Sequence, residues 1–267
     1  MITGSSRVFV VVGNPVSHSL SPAMQNAAFR ALGLPAVYVP LQCCAADLPH
    51  LLGAIARAGG GGNITVPHKE LAARSVDVCR ELGEIVEACN TFWSEDGATI
   101  GDNTDVPGLL EALHQLGISN EPWFVVGTGG GARAAVVAAA EHGVPVAIQS
   151  RDRARQQRFE SWVASRGVPL AEPAACGVII NATPLGLKPN DPLPTNLDEF
   201  PRATVAFDMV YARGGTTWIR SVQSRVRRSG DGRAMLVAQG AAAFERWFPS
   251  KRAPVDVMRA AVDVALR

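Results

Sequence analysis

The chain has 267 residues, of which 47% are apolar and 18% charged, and a formal net charge of +1. That is material for one large domain or two modest ones, each with its own core. The near-neutral balance excludes a strongly basic nucleic-acid binder as the default, and no stretch has the roughly 18 uninterrupted apolar residues of a membrane span. Cys43, Cys44, Cys79, Cys89 and Cys176 are odd in number and form no CxxC pair, so reduced thiols are expected rather than a disulfide or zinc framework. The apolar run at 8–12 is too short for a signal segment, which makes the expected location cytoplasmic.

In chain order, the β-branched run at 8–12 predicts a buried strand ended by Gly13, Asn14 and Pro15. Ser21 and Pro22 then predict a helix start, with serine at the N-cap and proline at the first helical position. A strand at 37–41 and a helix at 47–58 follow, the helix stopped by the glycines at 59–62. A third strand is expected at 63–67, closed by Pro67, and then a helix at 68–75. Short strands at 88–93 and 99–101 flank a turn at Glu95, Asp96 and Gly97. Beyond them a helix is expected at 106–116, a strand at 123–126, an alanine-rich helix at 132–141, a strand at 145–149 and a helix at 153–165. Strands at 177–181 and 204–208 precede helices at 218–229, 237–248 and 255–266. Alternating strands and helices imply parallel βαβ units and an α/β fold. The best boundary falls near Val106, before the glycine-rich unit, and the last helices are expected to return to the first domain.

That unit reads Phe124-Val125-Val126 and then Gly127-Thr128-Gly129-Gly130-Gly131-Ala132, a glycine-rich turn between strand and helix. Glycines let the backbone approach a pyrophosphate, and the helix N-terminus offers free N–H groups. The next strand ends at Ser150, Arg151, Asp152, Arg153, Ala154 and Arg155, where an adenine ribose is read. The arginines suit the 2′-phosphate of NADP, whereas Asp152 could accept from the 2′-hydroxyl of NAD or simply stand in the first turn of a helix.

Polar residues concentrate in the first half at Ser17–His18–Ser19–Leu20–Ser21, at Asn63–Ile64–Thr65 with His68 and Lys69, and at Asn90–Thr91 with Asp102, Asn103, Thr104 and Asp105. Each group follows a predicted strand, where α/β sheets present ligands. Ser19 and Ser21 could hold a carboxylate, although capping is the plainer reading of Ser21.

Taken with Asn181-Ala182-Thr183-Pro184-Leu185-Gly186, Asp208-Met209-Val210-Tyr211 and Met235-Leu236-Val237-Ala238-Gln239, these segments resemble, in order and over nearly the whole chain, the motifs of the shikimate dehydrogenase family. The resemblance implies two α/β domains with the substrate in the cleft between them. It assigns residues 1–106, completed by the C-terminal helices 238–267, to a substrate-binding domain, and 107–237 to a Rossmann-type NADP-binding domain with a parallel sheet. It implies reversible NADPH-dependent reduction of 3-dehydroshikimate to shikimate, a step towards chorismate and the aromatic amino acids, with NAD as the alternative cofactor. Carried over, Lys69 and Asp105 are catalytic, and Ser19, Ser21, Thr65, Asn90, Tyr211 and Gln239 bind substrate. The cofactor would be met by Gly127, Gly129, Gly130, Gly131, Ala132, Ser150, Arg151, Arg155, Asn181, Thr183, Met209 and Met235. The expected partner is a small-molecule substrate, with no nucleic acid or membrane, in a monomer or homodimer.

The pattern departs from the family at Gln25, commonly histidine, at Glu87 and Cys89, commonly glycine and valine, at Ser150 and Asp152 in the cofactor motif, and at Arg213-Gly214-Gly215, where a proline turn is common. Rival readings are a quinate- or aminoshikimate-type dehydrogenase and a catalytically idle ligand-binding paralogue. The five histidines show no ligand spacing with cysteine or carboxylate, so no metal is expected.

Overall fold

The computed structural model describes residues 2–118, 120–188 and 190–267. The chain forms an α/β structure of two compact units, one of Met1–Gly108 with Leu236–Arg267 and the other of Leu109–Met235. The first unit contains β1 (Arg7–Gly13), α1 (Ser21–Ala31), β2 (Ala36–Gln42), α2 (Leu48–Arg57), β3 (Gly61–Ile64), α3 (Lys69–Ala73), β4 (Val78–Cys79), α4 (Glu81–Val86), β5 (Thr91–Glu95) and β6 (Ala98–Asp102). Helix α5 (Asp105–Gln115) carries the chain out of this unit. The second unit holds β7 (Trp123–Val126), α6 (Gly130–His142), β8 (Val146–Gln149), α7 (Arg153–Ser165), β9 (Val178–Asn181), β10 (Val205–Asp208), α8 (Thr217–Val222) and β11 (Arg228–Asp231). Helix α9 (Arg233–Trp247) returns the chain to the first unit, and α10 (Val255–Ala265) packs there on α1.

The first sheet has the order β2-β1-β3-β5-β6-β4. β1 runs parallel to both β2 and β3, whereas β5 is antiparallel to β3 and β6. Side chains alternate across β1: Val10 and Val12 pack with Leu48, Leu52, Ile64 and Phe92, while Phe9 meets Phe29 and Trp247. Both faces of β1 are therefore buried, which is why its sequence is a continuous apolar run. The second sheet, β11-β10-β9-β7-β8, is wholly parallel. One of its cores joins Phe124, Ile179, Ala206 and Trp218, with the Phe124 and Phe200 rings 4.4 Å apart.

Four expectations need correction. The third strand is Gly61–Ile64, so two of the supposed stop glycines lie inside it. Its neighbours require them: a Cβ on Gly61 would lie 2.5 Å from the Phe92 carbonyl oxygen, and one on Gly62 would strike that of Val10. Ser21 is not an N-cap but the first helical residue; Leu20 occupies the cap and no side chain caps α1. The helix expected at 218–229 stops at Val222, because Arg227 and Arg228 donate to the Thr204 carbonyl and the chain pairs with β10 as β11. Strand β4 and helix α4 were not anticipated, since two- and six-residue elements are too short to show a period.

Candidate active site

In each sheet the chain leaves a central strand on one side and later returns on the other, opening a crevice at the strand C-termini. In the first sheet that point lies between β1 and β3. The loop after β1 carries Ser19 and leads to Ser21 at the start of α1, whose N–H lies 3.3 Å from the Ser19 hydroxyl. The loop after β3 carries Thr65 and leads to Lys69 at the start of α3. The two loops are tied where Asn14 N–H donates to the Val66 carbonyl (3.0 Å) and Thr65 N–H to that of Val12 (2.8 Å).

Lys69 Nζ lies 2.7 Å from Asp105 Oδ2, with side-chain exposures of 17% and 5%. Asn90 Nδ2 donates to Asp105 Oδ1 (2.9 Å) and, at 3.3 Å, to Gln239 Oε1. Asn90 is held in turn: its Oδ1 accepts from Thr104 N–H (2.7 Å) and the Thr104 hydroxyl (3.1 Å). Asn103 Oδ1 accepts from the N–H groups of Asp105 (2.9 Å) and Val106 (3.3 Å), which opens α5 with Asp105 in its first turn. A carboxylate there is favoured by the free N–H groups of the helix end. Gln239 reaches Asn90 because α9 closes on α5 at Gly108, where a Cβ would lie 2.7 Å from that of Gln239. The carboxylate keeps lone pairs beyond its two bonds, so it can still accept from a ligand hydroxyl.

The network thus joins Lys69, Asn90, Asp105 and Gln239, while Ser19, Ser21 and Thr65 stand at the neighbouring ends of β1 and β3. The remaining expected residues belong to the other unit. Sequence reasoning passed over Thr104 and Asn103 as positioning groups, although they stand in the polar run Asp102–Asp105. Gln25, noted in the sequence only as a departure from the family's usual histidine, donates its Nε2 to the Gly240 carbonyl at 2.9 Å and anchors α9 beside Gln239; nothing local in the sequence signals that contact.

In the second sheet the crevice lies between β7 and β9. Gly127 has φ 122°, in the range that favours glycine, and a Cβ there would meet the Ala182 carbonyl oxygen at 3.1 Å. A Cβ on Gly131 would approach Met209 Sδ at 3.2 Å, whereas nothing lies within 4 Å of one on Gly129. The backbone of this turn is therefore open at its tip, before the first N–H groups of the 13-residue helix α6. Ala132 is buried in that helix. These features fit a bound pyrophosphate.

At the end of β8, Asp152 is the N-cap of α7: its Oδ1 accepts from Ala154 N–H (2.9 Å) and Arg155 N–H (3.0 Å). The Arg155 and Ala154 bonds hold the carboxyl below the usual range. Arg151, Arg153 and Arg155 are exposed around it. Ser150 Oγ accepts from Asp152 N–H at 3.3 Å. A capped aspartate amid exposed arginines fits a phosphate better than a ribose hydroxyl.

At the end of β9, Asn181 Oδ1 accepts from Thr183 N–H (3.0 Å) and hydroxyl (2.6 Å). Asn181 Nδ2 donates to the Leu185 carbonyl (3.0 Å) and to Asp208 Oδ1 (2.8 Å). Asp208 also accepts from Val210 N–H (3.0 Å) and the Thr216 hydroxyl (2.6 Å). Burial pushes its carboxyl up to about 6 and nearby Asp231 adds to this, against the pull of Thr216, Val210 and Asn181. Tyr211 is half-buried after β10, and Met235 is buried in α9. Among the described residues, no three His, Cys, Asp or Glu side chains group as metal ligands, and no helix is long and apolar enough to cross a membrane.

A wholly parallel sheet with a glycine turn at its switch point, in one chain with a lysine–carboxylate pair at the strand ends of a second sheet, defines a class: the dinucleotide-dependent oxidoreductases. Residues 11–92 match the family model of the shikimate dehydrogenase substrate binding domain, and 232–262 that of the shikimate 5'-dehydrogenase C-terminal domain. The chain belongs to the shikimate dehydrogenase family. It is 36% identical over 285 residues to the shikimate dehydrogenase (NADP(+)) of Thermosynechococcus vestitus, covering 99% of this chain and 98% of the relative. It is also 36% identical to that of Symbiobacterium thermophilum, covering 98% and 96%. The crystal structure of shikimate 5-dehydrogenase from Thermus thermophilus in complex with NADP(H) and shikimate superposes with a TM-score of 0.86 at 32% identity, covering 97% of this chain and 99% of that one.

Proposed function

We propose that this protein catalyses the reversible, NADPH-dependent reduction of 3-dehydroshikimate to shikimate. The observation that carries the reading is the Lys69–Asp105 pair, 2.7 Å apart and joined through Asn90 to Gln239. It is supported by the full-length relatives named for this activity.

In this reading the unit Met1–Gly108 with Leu236–Arg267 takes the ring acid, and Leu109–Met235 takes the dinucleotide. NADP would be held by the turn Gly127–Ala132 and the N-terminus of α6, by Ser150, Arg151 and Arg155 at the adenine end, and by Asn181, Thr183, Met209 and Met235. The bound cofactor supplies the hydride. Lys69 Nζ faces the carbonyl oxygen, stabilises its growing negative charge and gives it a proton. Asp105 holds the ammonium in place and accepts from a ring hydroxyl. Asn90, Gln239 and Thr65 orient the remaining hydroxyls, Ser19 and Ser21 bind the carboxylate, and Tyr211 contributes to substrate binding. In the reverse direction, neutral Lys69 takes the hydroxyl proton.

NADP is favoured over NAD because the cap leaves Asp152 engaged with its own helix. The test is the absorbance of NADPH and NADH with purified protein and 3-dehydroshikimate or 3-dehydroquinate. Turnover is expected with NADPH and 3-dehydroshikimate; no turnover with any pairing overturns the reading, and a faster rate with NADH overturns the cofactor assignment.

A further inference from the structure

Of two cysteines that the proposed reaction does not use, Cys89 precedes Asn90 and donates its N–H to the Lys69 carbonyl, and Cys79 touches Cys89. Cys79 ends the edge strand β4 and Cys89 follows α4; they are ten residues apart in sequence, and their Sγ atoms are 3.3 Å apart. Cys79 is half-buried and Cys89 fully buried. The fold makes room for both sulfurs with glycine. A Cβ on Gly83 would lie 2.7 Å from Cys79 Sγ and 3.1 Å from Cys89 Sγ, and one on Gly101 would lie 2.8 Å from Cys89 Sγ. Cys43, Cys44 and Cys176 are also free thiols, but only Cys79 and Cys89 form such a contact among the described residues.

We propose that Cys79 and Cys89 form a reversible thiol–disulfide site, oxidised by small disulfides of the glutathione class, and that closing the bond slows turnover by displacing Lys69 and Asn90. The effect on turnover rests on the function proposed above. The half-buried Cys79, as thiolate, attacks one sulfur of the small disulfide, giving a mixed disulfide and releasing one small thiolate, which takes up a proton. Cys89 then loses its proton and attacks Cys79 Sγ, forming the internal bond and releasing the second small thiol. Two protein thiols are oxidised and one small disulfide is reduced. The division of roles follows the environment: the bond from Cys89 lowers the Cys79 thiol, while the same bond and burial raise that of Cys89.

Bonding brings the sulfurs from 3.3 Å to about 2.05 Å. Cys89 has little freedom to move alone. Its N–H donates to the Lys69 carbonyl at 2.9 Å, and the next residue, Asn90, holds Asp105. A displacement near 1 Å at such groups can cost on the order of 10²-fold in rate.

The experiment treats the purified full chain with oxidised glutathione, blocks remaining thiols, and follows mass and kcat together. The expected product has lost two hydrogens, and trypsin, cutting after Arg80 between the two cysteines, leaves two peptides joined by the bond. kcat should fall by about tenfold or more, dithiothreitol should restore it, and Cys79→Ser should keep its activity in the oxidant. Cys89→Ser should stop at a glutathione adduct on Cys79. The proposal is overturned if the wild-type thiols stay unlinked, if linkage runs through Cys43, Cys44 or Cys176, or if the expected bond forms with kcat unchanged. Absence of turnover in the reduced protein would count against the proposed function, while the mass still decides the thiol chemistry.

Discussion

The two crevices use one topological device and furnish it in opposite ways. At the strand ends of the first sheet, side chains fill the polar positions: Lys69, Asn90, Thr104, Asp105 and Gln239 hold one another in place. At those of the second sheet, the turn is almost bare backbone, with Gly127 and Gly129 leading into a helix whose first turn holds Gly131. Proton transfer needs a side chain with a labile proton, fixed within hydrogen-bond reach. A pyrophosphate instead needs N–H groups and the absence of Cβ atoms. The buried carboxylates differ to match. Asp105 has a cation beside it, whereas Asp208 rests among neutral donors with Asp231 nearby.

The largest effect expected from this contrast is at Lys69. Lys69→Ala should lower kcat by about 10²-fold or more while leaving binding of NADPH intact; steady-state kinetics, with a melting curve to confirm folding, would show it. A change confined to the KM for 3-dehydroshikimate would make Lys69 a binding group. The mirror-image result is expected of Gly127→Ala, which forces a side chain into φ 122° and towards the Ala182 carbonyl. Strain of roughly 1–3 kcal/mol would raise the KM for NADPH by about five- to 150-fold, with little change in that for the ring acid. Equal losses for both ligands would break the division between the two crevices.

Asp208 separates scaffold from chemistry. Its carboxyl is raised from 3.8 in the unfolded chain to about 6, so the folded state binds the proton more tightly. By linkage, its contribution to stability is greatest when protonated and is lost as pH rises from about 4 to about 7, by up to roughly 3 kcal/mol. Asp208→Asn keeps an oxygen for Asn181 and Val210 and can donate to Thr216. Melting temperatures across that range should therefore converge at low pH and favour the variant at neutral pH. A wild-type curve parallel to that of the variant would show that burial does not govern this carboxylate. The smallest effect belongs to Asp152→Ala: a slight fall in melting temperature from loss of the α7 cap, with the NADPH-to-NADH preference unchanged. A swing in that preference would show that the carboxylate itself reads the ribose.

The amino-acid sequence by itself determined the α/β alternation, the position of the glycine turn between β7 and α6, and the ordered motifs that mark the family. These are local features: a β-branched run, a glycine spacing or a proline acts on its own segment whatever lies across the fold. The sequence also grouped Lys69, Asn90 and Asp105 at the ends of predicted strands, but their roles, and Gln239 altogether, came only through resemblance, since each alone reads as an ordinary polar residue. Tertiary structure decided the rest. It drew Gly61 and Gly62 into a central strand because β1 and β5 crowd them, and turned 228–231 into an edge strand because the β10 edge offered hydrogen bonds. It resolved Asp152 as a helix cap, and it set Asn90, 149 residues before Gln239 in the chain, within hydrogen-bond reach of it. Contacts across such separations depend on how sheets and helices close on one another, and no single segment encodes that closure. The lysine–carboxylate geometry is therefore a property of the fold rather than of the motifs that supply its residues.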